Sequence, residues 1–177
     1  MKAVTRRSAL TLGLCSLTSP PLFANETGAA KKRQLPMSTI FKGESRFKTI
    51  VAKAQEENWR ALPIGDRIIQ FARELHGLPY ENFTLEIDDH IESPSVNLEG
   101  LDCWTFFEQS LGMARMVAID KDQYTPEDLL RQIELTRYRG GVCGGNYLER
   151  IHYLAEWFFE NDARGTCRHI TKDFAGA

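Results

Sequence analysis

The chain has 177 residues, 42% of them hydrophobic and 26% charged, with a formal net charge of −2. That balance is ordinary for one globular domain and excludes a collagen-like repeat, a disordered charged tail and a multi-domain chain. No apolar run approaches the roughly 18 residues needed to cross a bilayer, and no basic patch or stripe marks a nucleic-acid partner.

Residues 1–24 read as a signal peptide rather than as part of a fold. Lys2, Arg6 and Arg7 form a positive start, residues 9–17 are weakly apolar and uncharged, and Pro20 and Pro21 precede a small Ala24 suited to cleavage. The stretch Thr5-Arg6-Arg7-Ser8-Ala9-Leu10 also resembles a twin-arginine signal, so the Sec and twin-arginine routes both stay open and the expected destination is the periplasm. This segment holds three cations and no acid, so its removal leaves a more acidic chain with no transmembrane segment. Residues 25–44, polar and basic through Lys31, Lys32 and Arg33, read as a flexible leader.

The spacing of Phe47, Ile50, Val51 and Ala54 predicts a helix over 47–59. Pro63 suits the first turn of a second helix through Ile64, Ile68, Phe71, Ala72 and Leu75, stopping at Gly77. Phe83, Leu85 and Ile87 alternate with Thr84 and Glu86, the period of a half-buried strand. Residues 95–98 form a short second extended piece. A helix over 101–119 follows, capped by the Asp102 carboxylate. Cys103, Phe107, Leu111, Ala114 and Ala118 fall on one face of it, which predicts burial along that face. Thr125, Pro126, Glu127 and Asp128 supply the cap, first-position proline and first-turn acids of a helix to Tyr138. A last helix over 147–161 would turn Tyr147, Ile151, Leu154 and Phe158 to the core. Helices, two short strands, then helices again make an α+β domain.

Cys103, Cys143 and Cys167 remain once Cys15 leaves with the signal. Two arrangements stay open: a Cys143–Cys167 bridge that spares Cys103, or three thiols. No Cys-x-x-Cys or His-x-x-x-His spacing supplies a metal site. Cys103 stands out because unshielded N–H groups at a helix start favour negative charge, and the thiolate is the nucleophilic form of cysteine. The same N–H groups can hold an oxyanion during acyl transfer. Against this stands the plain reading of a cysteine on an apolar face as a small core residue.

Gly100-Leu101-Asp102-Cys103-Trp104-Thr105-Phe106 resembles the Asp-Cys-x-x-Phe motif of the NlpC-type cysteine amidases and peptidases. The surrounding sequence more specifically resembles one branch, the N-acetylmuramoyl-L-alanine amidase-like proteins. It is similar at Gly77-Leu78-Pro79-Tyr80, Thr84-Leu85-Glu86 and Val96-Asn97-Leu98, then at Arg137-Tyr138-Arg139 and Arg150-Ile151-His152-Tyr153 with Trp157, ending near Ile170-Thr171-Lys172. The resemblance implies a papain-like fold and a hydrolase of peptidoglycan fragments (muropeptides), working without metal or cofactor. In it Cys103 attacks the amide between the lactyl group of N-acetylmuramic acid and L-alanine, a histidine carries the proton, and water releases the acyl-enzyme.

The family's His-Val-Gly-like strand has no counterpart after His76, His90, His152 or His169. The expectation is therefore a partial domain over 45–177 with its C-terminal β core largely missing. Activity would be lost or impaired, and Phe106, Phe107, Leu111 and Met113 left uncovered. His152 and Arg150 either line a pocket near Cys103 and bind substrate, or belong to a solvated stripe with Glu149, Glu156 and Glu160. Asp102 is a substrate-site candidate that capping already explains. Trp104, Trp157 and Tyr153 are sugar-stacking candidates or core. The alternative function is a non-catalytic exported domain that binds peptidoglycan or a partner.

Overall fold

The computed structural model describes residues 35–168 and residue 170. The expected signal peptide, 1–24, and residues 25–34 of the expected leader lie outside the described residues. A short helix α1, Met37–Ile40, runs directly into strand β1, Phe41–Lys42. Helices α2, Glu44–Glu56, and α3, Ile64–Leu75, follow, joined through a 3-10 turn at Trp59–Ala61. After a long irregular segment come strand β2, Val96–Asn97, and helices α4, Cys103–Met116, α5, Pro126–Arg137, and α6, Leu154–Ala163. β1 and β2 pair in parallel, Phe41 opposite Val96 and Lys42 opposite Asn97. Among the described residues this mostly helical arrangement with one small sheet is consistent with α+β, and none of its helices is long and apolar enough to cross a membrane.

α4 is the central element, packed against α3 on one side and α5 on the other. The crossing with α5 is close because Gly112 offers no side chain: a Cβ there would stand 3.0 Å from Ile133 Cδ1 and 3.1 Å from Leu129 Cδ1. Phe47, Trp59, Phe71, Leu75, Met113, Met116 and Ile133 join one buried cluster. The Trp59 and Phe71 rings meet edge to face at 5.0 Å. Gly43, at φ +82, turns the chain from β1 into α2 in a left-handed conformation that an L side chain resists.

Four sequence expectations change. The leader drawn over 25–44 ends earlier, since residues 37–42 form α1 and β1 and bury Ile40 and Phe41 in the core; two apolar side chains outweigh the polar run before them. The strand expected at 83–87 is a turn. Phe83 takes φ +58, the Glu86 N–H donates to the Phe83 carbonyl at 3.2 Å, and among the described residues no strand pairs with this segment. The buried residues of α4 are Thr105, Glu108, Gln109, Ser110, Gly112, Met113, Ala114 and Met116, so Ala114 alone of the expected face is buried and Cys103 is exposed. The expected helix over 147–161 breaks in two: Asn146 caps a single turn, Tyr147–Glu149, and the Ile151 N–H then leaves to donate to the Arg137 carbonyl at 2.9 Å. Ile151 is buried as expected, but Tyr147, Leu154 and Phe158 are exposed. Of the four residues expected to lack cover, Met113 is fully buried and Phe106 exposed, with Phe107 and Leu111 between.

Candidate functional site

Cys103 opens α4, and the residue before it fixes where the helix begins. Asp102 has extended φ/ψ, and its Oδ1 accepts the Thr105 N–H at 2.7 Å and the Thr105 hydroxyl at 2.8 Å. Thr105 Oγ1 in turn accepts the Asp102 N–H at 3.0 Å, closing a reciprocal cap. Oδ2 accepts the hydroxyl of Thr84 at 2.8 Å, tying the helix start to the irregular segment 18 residues upstream. Both oxygens of Asp102 are thus used in holding the first turn, so Asp102 positions Cys103. Burial pushes the Asp102 carboxyl up, but the N–H groups of Thr105 and Trp104 and the two threonine hydroxyls outweigh it and hold it below the ordinary carboxylate value.

That lowered value fixes a sign. The charged carboxylate stabilises the fold above its unfolded pKa, and the contribution disappears as pH falls through the lower folded value. In Asp102→Asn, which keeps a capping oxygen but no charge, thermal denaturation between pH 7 and pH 3 should show a shallower acid limb than the parent. Asp102→Ala should cost about 1 kcal/mol at pH 7 as well, the usual cost of losing a cap. Parallel acid limbs for parent and Asp102→Asn would remove Asp102 from this role.

Cys103 faces a shallow cleft of about 310 Å3 between the end of α3 and the start of α4. His76, Leu78 and Tyr80 form one wall, and Leu101, Asp102, Cys103 and Phe106 the other. A parallel bridge between Tyr80 and Leu101 joins the walls, with the Glu81 N–H donating to the Leu101 carbonyl at 3.0 Å. His76 caps the C-terminus of α3 and is exposed. Sequence reasoning does not single this histidine out. Its only local signal is its place beside Gly77, where the chain turns at φ +86 and exits along Leu78-Pro79-Tyr80.

The other candidates lie elsewhere. His152 is not on a helix stripe; its ring lies against that of Tyr147, centroids 4.3 Å apart and tilted by 37°, with Nε2 3.1 Å from the Tyr147 carbonyl. Arg150 is buried, paired with Glu86 at 2.9 Å and Glu92 at 3.3 Å, with its guanidinium over the Tyr147 ring. Both stand outside the lining of the Cys103 cleft. Trp104 turns away from that cleft and joins Phe107, Trp157 and Phe158 in a row of ring contacts at 5.3–5.5 Å that fastens α6 to α4. Cys143 is buried, with its sulfur 3.4 Å from the Glu92 carbonyl, and both Cys143 and Cys167 are thiols. Burial pushes the Cys167 thiol up, with the Asp162 charge adding to it. Among the described residues no three His, Cys, Asp or Glu side chains are grouped as metal ligands would be.

Residues 70–177, more than half of the chain, match the family described as AmiA-like, N-acetylmuramoyl-L-alanine amidase-like. Among solved structures, an N-acetylmuramoyl-L-alanine amidase from Bacteroides uniformis is similar at 25% identity and a TM-score of 0.51, over 58% of this chain and 41% of that one. A second crystal structure of that name from the same organism gives 25% identity and a TM-score of 0.50, over 57% and 40%. Protein LPG0564 of Legionella pneumophila shares the fold at 22% identity and a TM-score of 0.52, over 69% of this chain and 38% of that one. This chain therefore spans about two fifths of the length of the solved structures it matches. No curated protein matches it.

Proposed function

We propose a function from one premise: the chain belongs to the AmiA-like, N-acetylmuramoyl-L-alanine amidase-like family. The reading is a peptidoglycan-fragment hydrolase with a papain-like NlpC-type site, exported to the periplasm, in which Cys103 is the nucleophile. The observation that carries it is the exposed Cys103 thiol at a capped helix start, inside a cleft that a histidine also lines. Family membership supports the substrate class: a muropeptide amide between a lactyl carbonyl and L-alanine.

The chemistry needs a thiolate, a proton carrier and water. The Cys103 sulfur bonds to the amide carbonyl carbon, and the thiol proton passes to an imidazole and on to the departing L-alanine nitrogen. The C–N bond breaks, leaving a thioester on Cys103. Water then attacks the thioester, restoring the thiol and releasing the lactyl carboxylate. His76 takes the proton-carrier role because it lines the same cleft as the sulfur. Asp102 and Thr84 hold the helix start against the substrate's push.

The test is digestion of a defined muropeptide by the full chain, read by mass spectrometry. Peptide with a free N-terminal L-alanine is the expected product, and prior alkylation with iodoacetamide should stop its release. Retention on insoluble peptidoglycan with no product at any enzyme concentration would replace this reading with the non-catalytic binding domain. Product release that survives complete alkylation would exclude a cysteine mechanism.

A further inference from the structure

A second cleft, of about 320 Å3, lies along segment 81–87 and β2, lined by Lys42, Glu81, Phe83, Thr84, Ser95 and Asn97 among others. Its chemistry differs from that of the Cys103 cleft: an ammonium, a carboxylate, an amide and hydroxyls converge on it. Asn97, Glu81 and Thr84 are held in place before any ligand arrives. Asn97 is buried, its Nδ2 donates to Glu81 Oε2 at 2.9 Å, and its Oδ1 accepts the Glu99 N–H at 2.9 Å and the Gly100 N–H at 3.3 Å. Thr84 is buried too and donates to Asp102, so one residue belongs both to this cleft and to the support of Cys103.

Phe83 is the anomaly. It is 81% exposed and sits at φ +58. A non-glycine side chain is strained in that region, and a phenyl ring left in water forgoes the gain of burial. Neither cost stabilises the fold, yet the turn that imposes them is fixed at both ends, by the Glu86–Phe83 backbone bond and by the Thr84–Asp102 bond. Strain and an exposed aromatic ring together mark a functional position. A flat apolar ring at the edge of a cleft rich in fixed hydrogen-bonding groups suits a ligand with one C–H face and a rim of hydroxyl and amide groups. That is the chemistry of an N-acetylated hexosamine ring.

We propose that the Phe83 cleft is a saccharide subsite, in which the sugar stacks on Phe83 while Asn97, Glu81 and Lys42 meet its polar rim. It deepens the amidase reading and rests on it for the role of the bound sugar, which anchors the glycan end of the substrate; the binding itself does not depend on turnover.

The experiment uses the full chain carrying Cys103→Ala, titrated with the peptide-free disaccharide N-acetylglucosaminyl-N-acetylmuramic acid and followed by saturation-transfer NMR. Phe83→Asn is added to remove the ring while keeping a residue that tolerates the left-handed turn. Affinity should fall about tenfold, the effect of losing an aromatic contact worth roughly 1.4 kcal/mol. Phe83→Tyr should restore it. The melting temperature of the Asn variant should be no lower than that of its parent, which separates loss of the ring from loss of the fold. Disaccharide binding that ignores Phe83→Asn, or no binding by the parent, overturns the subsite. If the disaccharide binds through Phe83 but the chain with Cys103 intact releases no L-alanyl peptide, the amidase reading falls and the subsite stands.

Discussion

Cys103→Ala should reduce release of L-alanyl peptide from a muropeptide by on the order of 10^3-fold or more, the scale on which loss of a covalent nucleophile is felt. Its melting temperature should move little, because the thiol is exposed and removing it opens no cavity. The contrast with the two other thiols sharpens the result. Cys143→Ala should cost stability instead, since that side chain is buried beside the Glu92 carbonyl, and should leave turnover per folded molecule intact. Cys167→Ala should do neither. His76→Ala completes the set. As the proton carrier it should lower kcat about 10^2- to 10^4-fold and remove one limb of the pH–rate profile. It is exposed at a helix end, so its loss costs little stability. An unchanged pH profile would pass the proton-carrier role to another group while leaving Cys103 as nucleophile. Turnover by Cys103→Ala at the parent rate would end the cysteine mechanism outright.

The parts of this site that are legible in the sequence are those that local chemistry writes. Asp102 and Thr105 are three residues apart and cap reciprocally, so the start of α4 and the placing of Cys103 follow from neighbouring residues alone. The same holds for Thr125, Pro126 and Asp128 at the start of α5, and for Gly77 at the end of α3. His76 is not legible as a site residue, because it meets the Cys103 cleft only through the packing of α3 on α4, 27 positions along the chain. His152 misleads for the opposite reason. Helical spacing puts it on a stripe with Glu149 and Glu156, but that helix ends after one turn at Arg150, whose backbone is extended and pairs with Tyr138.

The face of α4 fails more instructively. Apolar spacing chooses Cys103, Phe107, Leu111, Ala114 and Ala118, of which only Ala114 is buried. The helix instead turns Glu108, Gln109 and Ser110 inward. Periodicity assumes that the most apolar stripe faces the core. Here a buried arginine on α5 overrides it, and nothing within 28 residues of Glu108 announces that partner.

Glu108 and Arg137 are both fully buried and meet at 2.8 Å. Burial pushes the Arg137 guanidinium down, but the Glu108 charge and hydrogen bond, with a contribution from Tyr138, push it up further. Arg137 Nη1 also donates to the Ser95 carbonyl and hydroxyl, each at 3.1 Å, which fastens the entry of β2 to α5. Glu108→Ala leaves that cation buried without its counter-charge and should destabilise the fold by about 3–5 kcal/mol. The melting temperature should fall by on the order of 10 °C or more. Glu108→Gln, which keeps an acceptor without the charge, should fall between parent and Ala variant. Replacing both partners, as Glu108→Leu with Arg137→Met, should recover most of the loss, because no charge is then stranded. The damage should spread along Ser95 to the segment that carries Thr84 and Phe83, so hydrogen exchange over 81–97 should rise in Glu108→Ala more than exchange in α2. A Glu108→Ala melting temperature within a degree or two of the parent's would mean that water reaches Arg137, and that the pair is no buried anchor for β2.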